Sequence, residues 1–375
     1  MSEVPLKILV ISQKQQTGIT YYRHNLPHRL LDGFDIVEAP IGVDAIERFP
    51  DEELKKFIAI FFMRHISIRG RTKHICERLK SLGIKIIFDI DDYWHLPTSH
   101  YLFNVWDKNK TTQQTIEAFK YSDVVLTTTP RMYNQIKAYN PNCYILFNSL
   151  YEKEKQLEIR EIKNRRVRFG WIGGVYHLPD IKMIQNTFKL ISQNKELVNN
   201  IQICLGGYTI GQREYAAIEN IMSNNYSYID NDYKEYLQSG TRMGEHISYD
   251  KPYRRLYSRD VFEYIDLYND IDVALVPLEN NQFNKSKSNL KVIEAGYMNK
   301  AVIASNVYPY TIDCNKTNSI LVKDNKYGWY EAILQYMDKS KREEHAKKLN
   351  ERIRSRYNIM LMNEWRKVIY EKICA

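Results

Sequence analysis

The chain has 375 residues, 44% of them hydrophobic, and its 54 Lys and Arg against 45 Asp and Glu give a formal net charge of +9. That length suits two α/β domains of ordinary size, each with its own core, and the spread of basic residues fits a diphosphate ligand, an anionic membrane surface or nucleic acid. Five cysteines without paired spacing argue against a disulfide framework or a zinc site, so a cytoplasmic protein is expected, with contact at the inner membrane face as an extension of that reading.

The apolar run near the start, residues 7–11, is too short for a signal peptide or a membrane span and reads as a first buried strand. A turn containing Gln15, Gln16 and Gly18 follows it, then a helix over residues 25–31. Gly18 is placed at a ligand-facing turn, with Arg23 to hold an anionic acceptor or a diphosphate. A plain glycine turn with a surface arginine is the alternative. Further strands are predicted at residues 57–62, 85–88, 124–127 and 143–147, with helices over 65–82 and 131–139 between them. Asp89 and Asp91 share one face of an extended segment, a spacing suited to a divalent cation or to acid and base work, and Asp92 follows directly. Carboxylates capping the next turn are the alternative. His65, His74, His95 and His100 show no ligand spacing. The charged, glycine-free residues 151–168 read as a linker with an exposed helix.

A second alternation begins at residue 167. Strands are predicted at 168–172 and 201–205, each ending in paired glycines, Gly173-Gly174 and Gly206-Gly207. Glycines directly after a strand let a ligand approach the backbone, and the next helix offers its N-terminus to phosphate. His177 and Asp180 follow in the same segment. Residues 208–257 are polar and carry no clear pattern. Residues 270–306 then read as strand (272–278), polar loop (279–289), helix (291–298) and strand (301–305). Such a βαβ unit implies a parallel sheet, and ligands bind beyond the carboxyl ends of its strands. Asn284, Ser286 and Ser288 are candidate N-caps, Lys285 and Lys287 lie beside them, and the N–H groups near Ser288 and Asn289 suit a phosphate. Glu294 falls one to two turns into the helix, within reach of a ribose. Helices are predicted at 329–337, 340–353 and 360–373.

The strand, the polar loop, Lys291-x-x-Glu294-Ala295-Gly296 and Ala301-Val302-Ile303-Ala304-Ser305 together resemble the nucleotide-sugar site of GT-B glycosyltransferases, closest to glycosyltransferase family 4. The resemblance implies an α/β chain of GT-B architecture, two Rossmann-like doubly wound domains facing across a cleft. Residues 1–155 would form the acceptor side and residues 156–356 the nucleotide-sugar side, with a terminal helix over about 357–375 returning to the first domain. It implies transfer of a sugar from a nucleotide-diphosphate donor to the hydroxyl of a glycan, lipid-linked or other acceptor. Retention of configuration and no required metal or other cofactor belong to the same expectation. By the same resemblance, Glu294 would hold the ribose and Asn284 the sugar or diphosphate. Lys287, Ser288, Asn289, Gly173, Gly174, His177 and Arg23 would bind the diphosphate, with Gly18 on a comparable loop. Asp91 and Asp92 would line the acceptor side, where the family often has a histidine. The family's first glutamate falls on Ser286, a departure that favours, as a second class of function, a non-catalytic nucleotide- or glycan-binding protein. Sugar transfer to modified DNA bases is the second choice of acceptor, since no recognition helix or dense arginine cluster is present.

Overall fold

A strand buried on both faces reaches a parallel neighbour only through a crossover, which is why apolar runs of four to six residues alternate here with helices. The computed structural model describes residues 6–11, 17–39, 42–98, 100, 102–225, 227, 230–239, 250–323 and 327–375. Two compact units result. The first comprises Met1–Tyr151, Lys285–Ser288 and Tyr357–Ala375, and the second Glu152–Asn284 and Asn289–Arg356. Gln15 and Gln16 lie outside the described residues.

In the first unit six strands form one sheet: β1 (Leu6–Ile11), β2 (Phe34–Ala39), β3 (Ala59–Met63), β4 (Lys85–Ile90), β5 (Val124–Thr127) and β6 (Cys143–Ile145). All pairings are parallel, in the order β2-β1-β3-β4-β5-β6. Period-two alternation covers both faces. Leu9, Ile11, Ile60 and Phe62 enter one hydrophobic cluster, while Ile8, Val10, Ala59 and Phe61 enter another on the opposite face. The order of strands reverses between β1 and β3, so the crevice of this sheet opens at their carboxyl ends.

The second unit repeats the scheme with β7 (Val167–Ile172), β8 (Ile201–Tyr208), β9 (Tyr253–Tyr257), β10 (Val273–Val276), β11 (Ala301–Ser305) and β12 (Ile320–Val322). The order is β12-β11-β10-β7-β8-β9, again all parallel, with the reversal between β7 and β10. The α/β reading therefore holds, and so does the βαβ reading of residues 270–306, whose helix spans Leu290–Tyr297.

Differences from the sequence reading have local causes. Residues 151–168 form no exposed helix, only a 3-10 turn at Lys155–Leu157 with Gln156 and Leu157 buried. Backbone bonds to side chains pin this segment: Gln156 Oε1 accepts from Ile265 N, and Asn269 Oδ1 accepts from Arg160 N. The helix expected from residue 65 starts at Thr72, because Asp44 and Ser67 hold the preceding turn and Gly70 has a φ of +79°. Strand β9, with sequence Tyr-Arg-Arg-Leu-Tyr, is masked in the sequence by two arginines that the fold buries and pairs, Arg254 with Asp270 and Arg255 with Glu219.

The last helix, Ile359–Cys374, packs within the first unit: Asn363 Nδ2 donates to the carbonyl of Pro27 (2.8 Å), and the Tyr370 hydroxyl lies 3.0 Å from His28 Nε2. No described helix is long and apolar enough to cross a membrane. Burial, then His24 and Arg366, holds the His28 imidazole well below its ordinary pKa. Since the unfolded chain takes up this proton near pH 6.5 and the folded chain only at lower pH, stability is fully present above pH 6.5 and falls as the pH drops below it. Thermal melts from pH 7.5 to 4.5 are expected to show that loss, and His28→Gln to flatten the slope.

Candidate functional site

In the second unit, the reversal between β7 and β10 gathers the loops that follow them. At the end of β7, Gly173 has no room for a side chain. A Cβ there would lie 2.5 Å from Lys291 Nζ and 2.8 Å from Trp171 Cζ2. Its peptide is engaged on both sides, the N–H with Gly206 O (3.2 Å) and the carbonyl with the Tyr215 hydroxyl (3.0 Å). Gly173 is therefore a packing glycine whose N–H is already used. Gly174 is exposed, with nothing within 4 Å of a Cβ, and it is here that the backbone stands open.

Asp180, buried at 4% exposure, joins the two loops: Oδ2 lies 2.7 Å from His177 Nδ1, and Oδ1 accepts from Glu279 N (2.8 Å). The loop after β10 is further tied by Ser305 Oγ to Leu278 N and by Asn284 Nδ2 to the carbonyl of Glu279. Of the candidate caps, none begins the helix. Asn284–Ser286 is a 3-10 turn, and the helix starts after Asn289, whose Nδ2 donates to Asp313 Oδ2 (2.6 Å) rather than capping. Ser286 is fully buried, and its carbonyl accepts from Thr129 Oγ1 within the first unit. Ser288 likewise accepts from Asn148 Nδ2, and half-buried Lys287 is near His100. Lys287 and Ser288 are thus grouped with the first unit, and Asn284, Asn289 and Glu294 with the second.

Lys291 carries more of this site than the sequence reading assigned to it. From the first turn of the Leu290–Tyr297 helix its ammonium donates to Ile172 O and lies 5.3 Å from the Trp171 ring centroid. No acidic residue occupies that first turn. A lysine there adds to the positive end of the helix dipole instead of offsetting it, an arrangement that an anionic ligand would relieve. Glu294, one turn on, is 4% exposed, and its carboxylate accepts from the hydroxyls of Tyr264 and Tyr268, the latter at 2.9 Å. Burial and then Glu294 raise Tyr268 well above the ordinary phenol value, and burial with Asp180, Cys314 and Glu294 does the same for Tyr310. Both phenols stay neutral, and Tyr268 donates. The i, i+3 spacing of Lys291 and Glu294 puts them on one helix face, a signal already present in the sequence.

In the first unit, the expected roles of Arg23 and Asp89 change. Arg23 does not face a ligand: its Nε and Nη2 donate to Asp89 (2.9 and 2.6 Å), and Nη1 donates to Leu146 O and Asn148 Oδ1. With side-chain exposures of 0% and 1%, this pair is sealed in the interior, so Asp89 does not share a metal or acid–base site with Asp91. Gly18 follows Thr17, whose hydroxyl accepts from Thr20 N and caps the helical segment that carries Arg23. Two residues beyond Asp89, at the carboxyl end of β4, Asp91 and Asp92 meet Arg64 from the end of β3. Arg64 Nε and Nη2 hold Asp91 Oδ1 and Oδ2 (2.6 and 3.0 Å), and Nη2 also holds Asp92 Oδ2 (2.6 Å). Burial opposes the charge on Arg64, but Asp91 and Asp92 raise its pKa above the ordinary value. Next to it, burial and then Arg64 lower His65 to about 4, so this ring is neutral at pH 7. It makes an edge contact with Trp106 at 5.7 Å. The sequence reading did not single out Arg64. Its signal is a cation directly after a fully apolar strand, across from an Asp-x-Asp-Asp.

No protein-family model matches the chain, and no curated protein sequence matches it. Its fold, by contrast, has many solved counterparts. Sucrose-phosphate synthase from Thermosynechococcus elongatus superposes with a TM-score of 0.66 at 14% identity, covering 98% of this chain and 99% of that one. HepE from Anabaena, solved with UDP and glucose, gives 0.64 at 8% identity over 98% and 100% of the two chains. A UDP-forming α,α-trehalose-phosphate synthase from Burkholderia xenovorans gives 0.65 at 10% identity over 99% and 100%. The chain has the GT-B fold of these glycosyltransferases.

Removing the Asp180 carboxylate leaves Glu279 N–H and His177 without their shared partner. Asp180→Ala is expected to lose about 1–3 kcal/mol of stability in urea unfolding, with Asp180→Asn losing less because its amide oxygen still accepts from Glu279 N.

Proposed function

We propose that this chain is a glycosyltransferase that moves a sugar from a nucleotide-diphosphate donor to an acceptor hydroxyl, with retention of configuration. The observation that carries the reading is the set of basic and open backbone groups that the β7/β10 reversal brings together. A lysine at a helix N-terminus, with no acid in that turn, adjoins an open Gly174 and a histidine oriented by Asp180. A diphosphate is the anion that a helix N-terminus, a lysine and an open glycine backbone suit. The three structural neighbours named above add weight, since their own descriptions include UDP, UDP formation or sugar-phosphate synthesis.

In this reading Lys291, His177, Gly174 and the N–H groups following Asn289 stabilise charge as it develops on the departing diphosphate, and Glu294 binds the ribose. Tyr264 and Tyr268 fix the Glu294 carboxylate before the donor arrives. As the bond from the anomeric carbon to the diphosphate breaks, its electron pair leaves with the diphosphate. The acceptor oxygen bonds to the same carbon and its proton passes to a diphosphate oxygen. Asp91 and Asp92, as acceptor-side groups, orient the hydroxyl. The acceptor is a glycan or other polyhydroxylated molecule, in surface polysaccharide or glycoconjugate synthesis. A second reading, nucleotide binding without transfer, is favoured by Ser286, whose burial leaves no carboxylate where the resemblance calls for one.

Incubation with UDP-, GDP-, ADP- and dTDP-sugars is expected to release nucleoside diphosphate with at least one of them. Tight nucleotide binding without release from any donor would establish the second reading instead. Lys291→Ala is expected to weaken nucleoside diphosphate binding by about 10- to 150-fold in calorimetry, the loss of one charged hydrogen bond of about 1.5–3 kcal/mol. An unchanged Kd would place the diphosphate elsewhere.

A further inference from the structure

Arg64 occupies the loop after β3, at the point where the strand order of the first sheet reverses, and it does so with a φ of +65°. An L side chain is disfavoured there, and glycine is the residue that fits without cost. The backbone is nevertheless held in this conformation, with Arg64 N donating to Asp89 O (2.7 Å) and His65 N to Met63 O (2.8 Å). What the position gains is the aim of the guanidinium, which grips both oxygens of Asp91 and one of Asp92.

A comparison with the neighbouring pair separates this clamp from a structural ion pair. Asp89, in β4 two residues before Asp91, and its partner Arg23 are sealed at 1% and 0% side-chain exposure, whereas Asp91, Arg64 and Asp92 stand at 11%, 24% and 37%. The clamp thus faces solvent at the crevice end of the sheet, where a buried core pair has no reason to be. The residues that follow its members carry rings: His65, next to Arg64, packs on half-buried Trp106, and Tyr93, next to Asp92, lies 5.3 Å from exposed His95, while Trp94 is enclosed in the core. Two carboxylates with one guanidinium between them, beside ring faces, match a neutral polyhydroxylated ligand. Carboxylates accept from hydroxyls and repel a phosphate, while rings cover the apolar face of a sugar.

We propose that Arg64 is a positioning residue for sugar transfer, a strained-backbone clamp that fixes Asp91 and Asp92 to orient the hydroxyl of a neutral sugar acceptor. The inference rests on the transferase reading above. Arg64 neutralises one of two adjacent carboxylates and sets the plane of Asp91 through two bonds, so its loss leaves the acceptor misaligned without touching the donor site.

Arg64→Gly tests this, because glycine accepts the positive φ and removes the guanidinium without straining the fold. Wild type and variant are compared with the donor panel above, using glucose and octyl glucoside as acceptors, glucose 6-phosphate as the anionic contrast, and water as the acceptor in donor hydrolysis. The expected result is an unchanged Kd for UDP with a melting temperature only modestly lowered, since the relief at the positive φ offsets part of the loss of the Asp91 and Asp92 partner. Transfer to the neutral sugar falls by on the order of 100-fold in kcat, while hydrolysis is retained. Arg64→Lys and added guanidinium chloride in the millimolar range should each restore part of the transfer. Transfer by Arg64→Gly within twofold of wild type overturns the proposal, as does a parallel loss of melting temperature and UDP binding, which marks a structural role. A wild-type preference for glucose 6-phosphate overturns the neutral acceptor. Absence of any turnover by the wild type overturns the transferase reading, and this inference with it.

Discussion

The ion pair of Arg23 and Asp89 is the constraint on which the first unit is built. Its guanidinium is completely enclosed and joins three parts of the chain that are distant in sequence. These are the helical segment after β1, the end of β4, and the segment at Leu146 and Asn148. Breaking such a pair from one side costs about 3–5 kcal/mol, because the partner is left as an uncompensated buried charge. Burial opposes the charge on Arg23, yet Asp89 raises its pKa above the ordinary value. From this pair the charges continue outward. Arg366 of the last helix lies on one side, and Asp91, Arg64 and Asp92 follow on the other. Charged groups are therefore coupled from the packed terminal helix to the open end of the sheet.

The second unit solves the same problem with different residues. Strands buried on both faces favour pairing of any charge they enclose. Arg168 meets Asp272, and Arg255 meets Glu219 at 2% exposure each. At the carboxyl ends of β7 and β10, Asp180 holds two loops in fixed relation and Lys291 leans over Trp171. Ser305 and Asn284 add further bonds to the same short stretch of loop, so its backbone is fixed by side chains rather than by regular secondary structure.

Much of the fold was legible because it depends on local rules. Period-two burial in β1 and β3, the Gly-ended strands β7 and β8, and the strand–loop–helix–strand of residues 270–306 all announce themselves in composition. Strand β9 did not, since Arg254 and Arg255 look like surface residues until Asp270 and Glu219, far away in the chain, are brought to them. Residues 151–168 misled in the same way: their charge suggested an exposed helix, but Gln156 and Asn269 hold them as extended chain.

The amino-acid sequence by itself determined the α/β class, the parallel sheets and the strand–loop–helix–strand order of residues 270–306. Each follows from the spacing of apolar residues and the chemistry of neighbours along the chain. Only the tertiary structure decided which polar groups are spent on the fold and which face outward. Arg23 and Arg64 look alike in sequence, as do Asp89 and Asp91, yet one pair is sealed and the other open. Gly173 and Gly174 are adjacent, yet one packs against Trp171 and the other is clear. The reason is that burial and pairing are properties of the whole packed molecule: a charge is consumed or available according to what the fold sets within about 3 Å of it, and that distance is not written in any local segment.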